Sequence, residues 1–404
     1  MREQLAKLIA LTTGIVIVAA VLLFAWTQQQ QRQQIAEALD PMEWAALFPL
    51  HVESFMRGAE DLSSANADRL AANPFRQRAW AGNAFALEYN APRHHYFAQT
   101  DQQQSRRTLD RAQPAGCIHC HAAEAPGLVT QYGWEGLNAM SYEDLRQDLH
   151  HGSSCADCHR PDSMALQVTR PALLNALSQQ GIDIDTATRQ EMRSYVCAQC
   201  HVEYYFESSG NNLVFPLVSG MLVEQIEQHF DEANFSDWTH EETGAGLIKI
   251  QHPNFELHSQ SVHAAEDTSC VDCHMPTVQV GGMAISDHGM GSPLKQAQQA
   301  CMGCHRGTPD RIIERTRRIQ QNTEALLANT EAALSDLIDS IVSARSAGAS
   351  DSELQAARLA HRRAQLRWDF IDADASKGFH ASRETTRILN DAIVIAREAI
   401  PVSD

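Results

Sequence analysis

The alternation of apolar and polar positions predicts helices far more often than strands. An apolar run from Leu8 to Trp26 opens the chain, with Arg2 and Lys7 flanking its start. Its 19 residues would make a helix of about 28 Å, long enough to cross a bilayer. The Gln28–Gln34 stretch, broken only by Arg32, reads as a polar linker. Two readings fit this start. One is an uncleaved anchor. The other is an export signal cut near Ala36-Glu37-Ala38, a site far beyond the apolar run, which favours the anchor.

Residues 40 to 110 are mixed and mostly helical in pattern, with breaks expected at Pro41, Pro49, Pro74 and Pro92. Val278 and Val280 alternate into Gly281-Gly282 and out through Met283 and Ile285, which predicts a hairpin. Beyond Cys304 the pattern turns strongly helical. Thr308 caps, Pro309 suits the first position, and Asp310 and Glu314 favour the positive end. Ile312, Ile319, Leu326 and Ala333 recur every seven residues, with Thr316, Thr330 and Leu337 beside them, in a helix ending near Gly348. Ser350 and Glu353 form a capping box for a second helix to about Phe370, and a third runs from Ser382 to Ala399. Such Ala-rich helices with one apolar stripe pack on a body or on a partner subunit.

Composition narrows the class. The chain has 404 residues, 44% of them hydrophobic, and a formal charge of −18. A protein this acidic is a poor nucleic-acid binder, so no nucleic-acid partner is expected.

The ten cysteines decide the chemistry. They form five C-x-x-C-H motifs: Cys117, Cys120 and His121; Cys155, Cys158 and His159; Cys197, Cys200 and His201; Cys270, Cys273 and His274; Cys301, Cys304 and His305. This is the c-type haem attachment pattern, two thiols for thioether bonds and a histidine for the iron. Zinc needs no histidine directly after the second cysteine, and a disulfide framework would not impose this spacing five times. Covalent haem attachment occurs outside the cytoplasm, so export is expected. First cysteines lie 38, 42, 73 and 31 residues apart, too irregular for a tandem repeat, and the longest gap has room for extra function.

The five motif histidines leave fourteen others. A haem with two histidines is six-coordinate and suited to passing electrons. An enzyme needs one iron with an open position. Four distal histidines would fit one open haem, and five would fit a pure conduit; spacing does not choose between them.

Several segments, in order, resemble the pentahaem, ammonia-forming cytochrome c nitrite reductases. They are Pro92-Arg93-His94-His95, the Cys197–Phe206 run C-A-Q-C-H-V-E-Y-Y-F, Phe235-Ser-Asp-Trp238, Lys249-Ile-Gln-His-Pro253 with Phe255-Glu256, Cys270–Pro276, and Arg367-Trp-Asp369. The resemblance covers about residue 40 to the C-terminus. It implies a mainly α multihaem cytochrome c with a haem-packed core, few short strands and a long-helix C-terminal region. It divides the chain into an anchor or signal segment with linker (1–38), a pentahaem catalytic domain (39–305) and a helical region (306–404) that packs on it and supplies a dimer interface.

Roles follow position by position from the resemblance. The haem on Cys117 and Cys120 would be catalytic. His288, His95, His380 and His263 would be distal ligands of the second, third, fourth and fifth haems. Arg107, Tyr204 and His252 would line the open iron, with Arg106 the alternative to Arg107. Glu203 and Gln251, by side-chain oxygens, and Tyr204 and Lys249, by backbone carbonyls, would hold calcium, which favours hard oxygen ligands. The substrate would be nitrite, with hydroxylamine a second possibility, and the product ammonium. The electron donor would be a quinol-oxidising membrane cytochrome or a small soluble one, and the enzyme a periplasmic homodimer. A protonated His252 and a fixed guanidinium would hydrogen-bond the nitrite oxygens. Two competing readings are an electron carrier with all five haems six-coordinate and a multihaem enzyme acting mainly on hydroxylamine or sulfite.

The sequence departs from the family at two points. Many members carry C-x-x-C-K at the first motif, where this chain has His121; His119 inside that motif is expected on the solvent side. The chain also ends 24 residues after His380, where members often extend into further dimerisation helices.

Overall fold

A computed structural model describes residues 2–35, 38–60 and 67–400. Helix α1 (Arg2–Ile35) runs through the glutamine tract, so the expected linker is helical. Among the described residues no helix is long and apolar enough to cross a membrane. Within α1, however, the large apolar side chains described from Leu11 to Trp26 all stand exposed. The segment Ala36-Glu37, where cleavage was considered, lies outside the described residues.

The prolines expected to break helices mostly begin them. Pro41 opens a 3-10 turn, Pro41–Ala46, capped by the Asp40 carboxylate. Pro49 opens α2 (Pro49–Glu60), and Pro74 is the N-cap of a short helix, Phe75–Ala79. Each position lacks an intrahelical N–H partner, so proline's missing donor costs nothing there.

The body is made of short helices joined by the motifs. Helices α3 (Pro171–Gln179), α4 (Arg189–Ala198), α5 (Val223–Glu232) and α6 (Asn254–Ser259) fill the region around the third motif and the long gap after it. The strands described are three two-stranded antiparallel ribbons: β1 (Tyr205–Phe206) with β2 (Leu213–Val214), β3 (Trp238–Thr239) with β4 (Gly246–Leu247), and β5 (Thr277–Val280) with β6 (Met283–Ser286). The last is the expected hairpin, with Val280 facing Met283 across Gly281-Gly282.

Three helices close the chain: α7 (Pro309–Ser346), α8 (Asp351–Asp372) and α9 (Ser382–Glu398). The Ser350–Glu353 capping box is present as read. On the expected line Ala333 is buried, whereas Ile312, Ile319 and Leu326 are half-buried; the line beside it, Thr316, Thr323, Thr330 and Leu337, is buried throughout. Threonine is small enough for close approach, and its hydroxyl is satisfied within the helix: Thr316 and Thr330 donate to the carbonyls of Ile312 and Leu326. One core joins α7, α8 and α9 to Trp80 through Leu334, Leu337, Trp368 and Ala396. A second joins α5, α8 and α9 to Ile248 and Ile250.

Two close approaches set loops that matter below. A Cβ on Gly58 of α2 would strike the backbone of Gly289, so α2 lies directly against the 287–289 loop. Gly378 has φ +81° and lies against Thr323 of α7, which lets the 374–380 loop cross that helix.

Candidate active site

Each motif folds as a tight helical turn. The amides of His159, His201 and His305 donate to the carbonyls of Cys155, Cys197 and Cys301 at 2.9, 2.9 and 3.0 Å. One turn of helix puts residues i and i+4 on the same face, which brings the histidine back beneath its first cysteine. Two motifs have built-in caps. Ser154 pairs with Asp157, and Ser269 with Asp272, the acid being the residue before the second cysteine. The third motif begins in the last turn of α4, whose start is fixed by the Thr188–Glu191 capping box.

Four of the five motif histidines face a second imidazole. His159 lies 6.1 Å from His288, His201 5.9 Å from His95, His274 6.4 Å from His380 and His305 6.1 Å from His263, measured between ring centres. Two imidazoles bound to one metal at roughly 2 Å per bond would have centres about 6 Å apart. Distance alone does not single these pairs out, since His201 is also 6.3 Å from His252 and His380 6.2 Å from His258. The second nitrogen does more. His159 Nδ1 is held by the Met164 carbonyl at 3.0 Å, His274 Nδ1 by Gly291 at 3.1 Å, His288 Nδ1 by Ser286 at 2.8 Å, and His380 Nδ1 by the Asp374 carboxylate at 2.8 Å. Holding Nδ1–H in this way fixes the tautomer and leaves Nε2 free for a metal.

The loops reinforce these contacts. Ser54 of α2 accepts from the His288 amide at 2.8 Å and donates to Asp287. Asp374 is fully buried; burial opposes its charge, but His380 and Ser376 hold its carboxyl below the usual range. None of these supports was read from the sequence. Ser54, Asp374 and Gly378 are ordinary polar or small residues until the loops come together.

His121 is different. Its Nδ1 lies 3.3 Å from the Ala98 carbonyl, and it makes no ring contact with another imidazole among the described residues. Around its motif stand Arg107, Tyr204 and His252. Arg107 faces Tyr204 and Cys117 electrostatically and sits over the Phe85 ring at 4.2 Å. Arg106 instead points outward and pairs with Asp110 at 3.1 Å. The Tyr204 and His252 rings are 6.5 Å apart. Burial raises the Tyr204 phenol well above its usual range, with Cys117 and Cys120 adding to the shift.

His252 departs from expectation. Its side chain keeps solvent exposure, yet the protein packed around the ring desolvates it. That desolvation, and then the positive charges that His201, His121, Lys249 and Arg107 carry or can take, drive its pKa well below the ordinary value. Protonation of His252 is therefore opposed, and a negative charge beside it would favour it. His119 also departs: only 3% exposed, it packs between Trp134 and Phe215 at 5.5 and 5.9 Å. The motif's helical turn points it inward.

Behind Tyr204 and His252 lies a buried cluster of oxygen groups. Glu203 is fully buried, and its Oε2 accepts from the Gln251 amide at 2.6 Å. The Gln251 side chain donates to the Lys249 carbonyl at 3.1 Å. The Lys249 ammonium is taken by Asp369 at 2.7 Å. Burial pushes Glu203 well above the carboxylate range and Glu256 up to about 8. No cluster of three or more His, Cys, Asp or Glu side chains that could hold a metal occurs among the described residues. A cation here would therefore have to draw on backbone and amide oxygens, which suits a hard ion.

The profile of the cytochrome c552 family matches residues 40–402. This chain belongs to that family. Cytochrome c-552 of Porphyromonas gingivalis is 37% identical over 327 residues, covering 79% of this chain and 66% of that protein. The one from Parabacteroides distasonis is 37% identical over 338 residues, covering 82% and 68%. The chain thus spans about two thirds of the length of these relatives. The catalytic subunit of the Desulfovibrio desulfuricans cytochrome c nitrite reductase, a structure with two calcium sites, superposes with a TM-score of 0.83 at 28% identity, covering 90% of this chain and 85% of that one. The fold is the mainly helical multihaem cytochrome fold, and the five motifs carry five covalently bound haem c groups.

Proposed function

We propose that this cytochrome c552 is a nitrite reductase that forms ammonium at the haem attached to Cys117 and Cys120. The observation that carries the reading is the asymmetry among motif histidines. His159, His201, His274 and His305 each face His288, His95, His380 or His263, and His121 faces none among the described residues. Four six-coordinate haems would pass electrons, and the first would keep a free position.

When bound, that haem supplies an iron to take the nitrogen of nitrite and deliver electrons. The protein's part is to hold the oxygens. Arg107, backed by Phe85, offers fixed N–H donors and a permanent charge. His252, whose protonation is opposed by desolvation and neighbouring positive charge, offers an N–H donor. Charge that builds on oxygen as the N–O bond breaks strengthens both contacts and raises the proton affinity of His252, so it can then hold and pass a proton. Tyr204 keeps its hydroxyl proton and is a weaker donor. Nitrite to ammonium takes six electrons, which suits four relay haems feeding one open haem.

In this reading calcium sits among Glu203, Gln251 and the carbonyls of Tyr204 and Lys249. The two calcium sites of the Desulfovibrio relative and the unpartnered Glu203 Oε1 support it. In this reading the enzyme is periplasmic; the membrane tether expected at its N-terminus is not supported, since no described helix is long and apolar enough to cross a membrane. Its donor is a quinol-oxidising membrane cytochrome or a small soluble one, and it works as a homodimer.

Turnover of nitrite, hydroxylamine and sulfite with a reduced dye tests the activity. The expected result is nitrite consumption with ammonium formed at six electrons per nitrite. Negligible nitrite turnover, or faster turnover of sulfite, would overturn it.

A further inference from the structure

The oxygen-rich pocket behind Tyr204 holds two carboxylates, not one. Glu203 and Glu256 have no solvent exposure. Each uses one oxygen to accept a backbone amide. Glu203 Oε2 accepts from Gln251 N at 2.6 Å, and Glu256 Oε1 accepts from Glu203 N at 2.8 Å. The other two oxygens, Glu203 Oε1 and Glu256 Oε2, have no hydrogen-bond partner.

The nearby cation does not serve them. The Lys249 ammonium is bound by Asp369 Oδ1 and the Ile250 carbonyl, and the Ile250 amide occupies Asp369 Oδ2. Two buried carboxylates without a counter-charge are costly. A divalent cation between them would close the charge to zero and take up both orphan oxygens, and oxygen ligands are what calcium selects.

We propose that Glu256 faces the same calcium ion as Glu203 and supplies the second carboxylate of that site. The inference rests on the calcium reading above and adds a residue to it. Glu256 acts on the ion directly or through a bound water. Its bond to the Glu203 amide also ties the start of α6 to the segment carrying Tyr204, just before β1, so the ion would couple Tyr204 and His252 through one charge-neutral cluster.

The experiment uses the full haem-loaded protein, stripped of calcium with a chelator and titrated with calcium chloride by calorimetry and thermal unfolding. Glu256→Gln should bind calcium at least ~10-fold more weakly, the usual effect of losing a group that supports a metal site. Glu203→Gln should be weaker too, and the exposed Glu266→Gln should match wild type. Wild-type affinity in Glu256→Gln would overturn the proposal. If that variant fails to accumulate with five haems, Glu256→Asp replaces it: weaker binding supports the proposal, and unchanged binding overturns it. A wild-type protein that binds no calcium overturns both this inference and the calcium reading. Nitrite turnover, assayed separately, reports on the activity alone.

Discussion

The Arg107 guanidinium sits over the ring of Phe85, 4.2 Å from its centre, and the Lys249 ammonium stands 5.1 Å from that same ring. Phe85 therefore lies against two cations and fixes one that points at the first motif. Arg107 is also steadied by Ser105, whose hydroxyl accepts from Nε at 3.3 Å and donates to Glu88 at 2.8 Å. A cation–π contact of this kind contributes about 0.5–2 kcal/mol. Phe85→Leu keeps the apolar bulk and removes the π face. It should lower kcat/KM for nitrite roughly 2- to 30-fold, the same range converted to a rate ratio. Haem content and the visible spectrum should not change.

His252 is the group with the proton chemistry. His252→Ala should cut nitrite turnover at least ~100-fold, the usual size of a general-acid effect, with five haems still attached. Unchanged turnover would remove His252 from the reaction.

The Lys249–Asp369 pair is buried, with side-chain exposures of 2% and 0%. Asp369→Ala leaves an ammonium without a counter-charge in the interior. It should cost about 3–5 kcal/mol in denaturant unfolding. Asp351→Ala, which breaks an ion pair whose carboxylate is 93% exposed, should show no measurable change.

A second buried pair, far from the motifs in sequence, predicts a pH effect. His240 and His361 are fully buried, 5.0 Å apart, with Thr243 Oγ1 within 3.2 and 3.1 Å of their Nδ1 atoms. Burial, with the neighbouring His240 adding to it, pushes His361 down to about 3. A folded-state pKa below the unfolded value means that the unfolded chain binds the proton more readily. Stability is therefore complete above about pH 6.5, the ordinary histidine value, and is lost as pH falls toward 3. Unfolding midpoints measured from pH 7 to 4 should fall, and His361→Gln should flatten that slope.

Much of this was legible in the chain. The motifs, the three C-terminal helices and the 277–286 hairpin follow from local rules, because caps, turns and heptads are written in adjacent residues. The distal roles proposed for His95, His263, His288 and His380 came only through resemblance, since a position facing a motif histidine is set by loop packing. His288 depends on Ser54, 234 residues away, and His380 on Gly378 against Thr323. The lowered proton affinity of His252 and the inward position of His119 were not legible for one reason: the surroundings that desolvate the first and bury the second come from the assembled fold. Glu256 was visible as part of a motif, but its orphan oxygen is visible only in three dimensions.

The central claim is that one haem of five differs from the rest. Low-temperature electron paramagnetic resonance on the purified ferric protein tests it directly. The account predicts four low-spin haems and one high-spin haem, with nitrite perturbing only the high-spin signal. A spectrum in which all five are low-spin would contradict it.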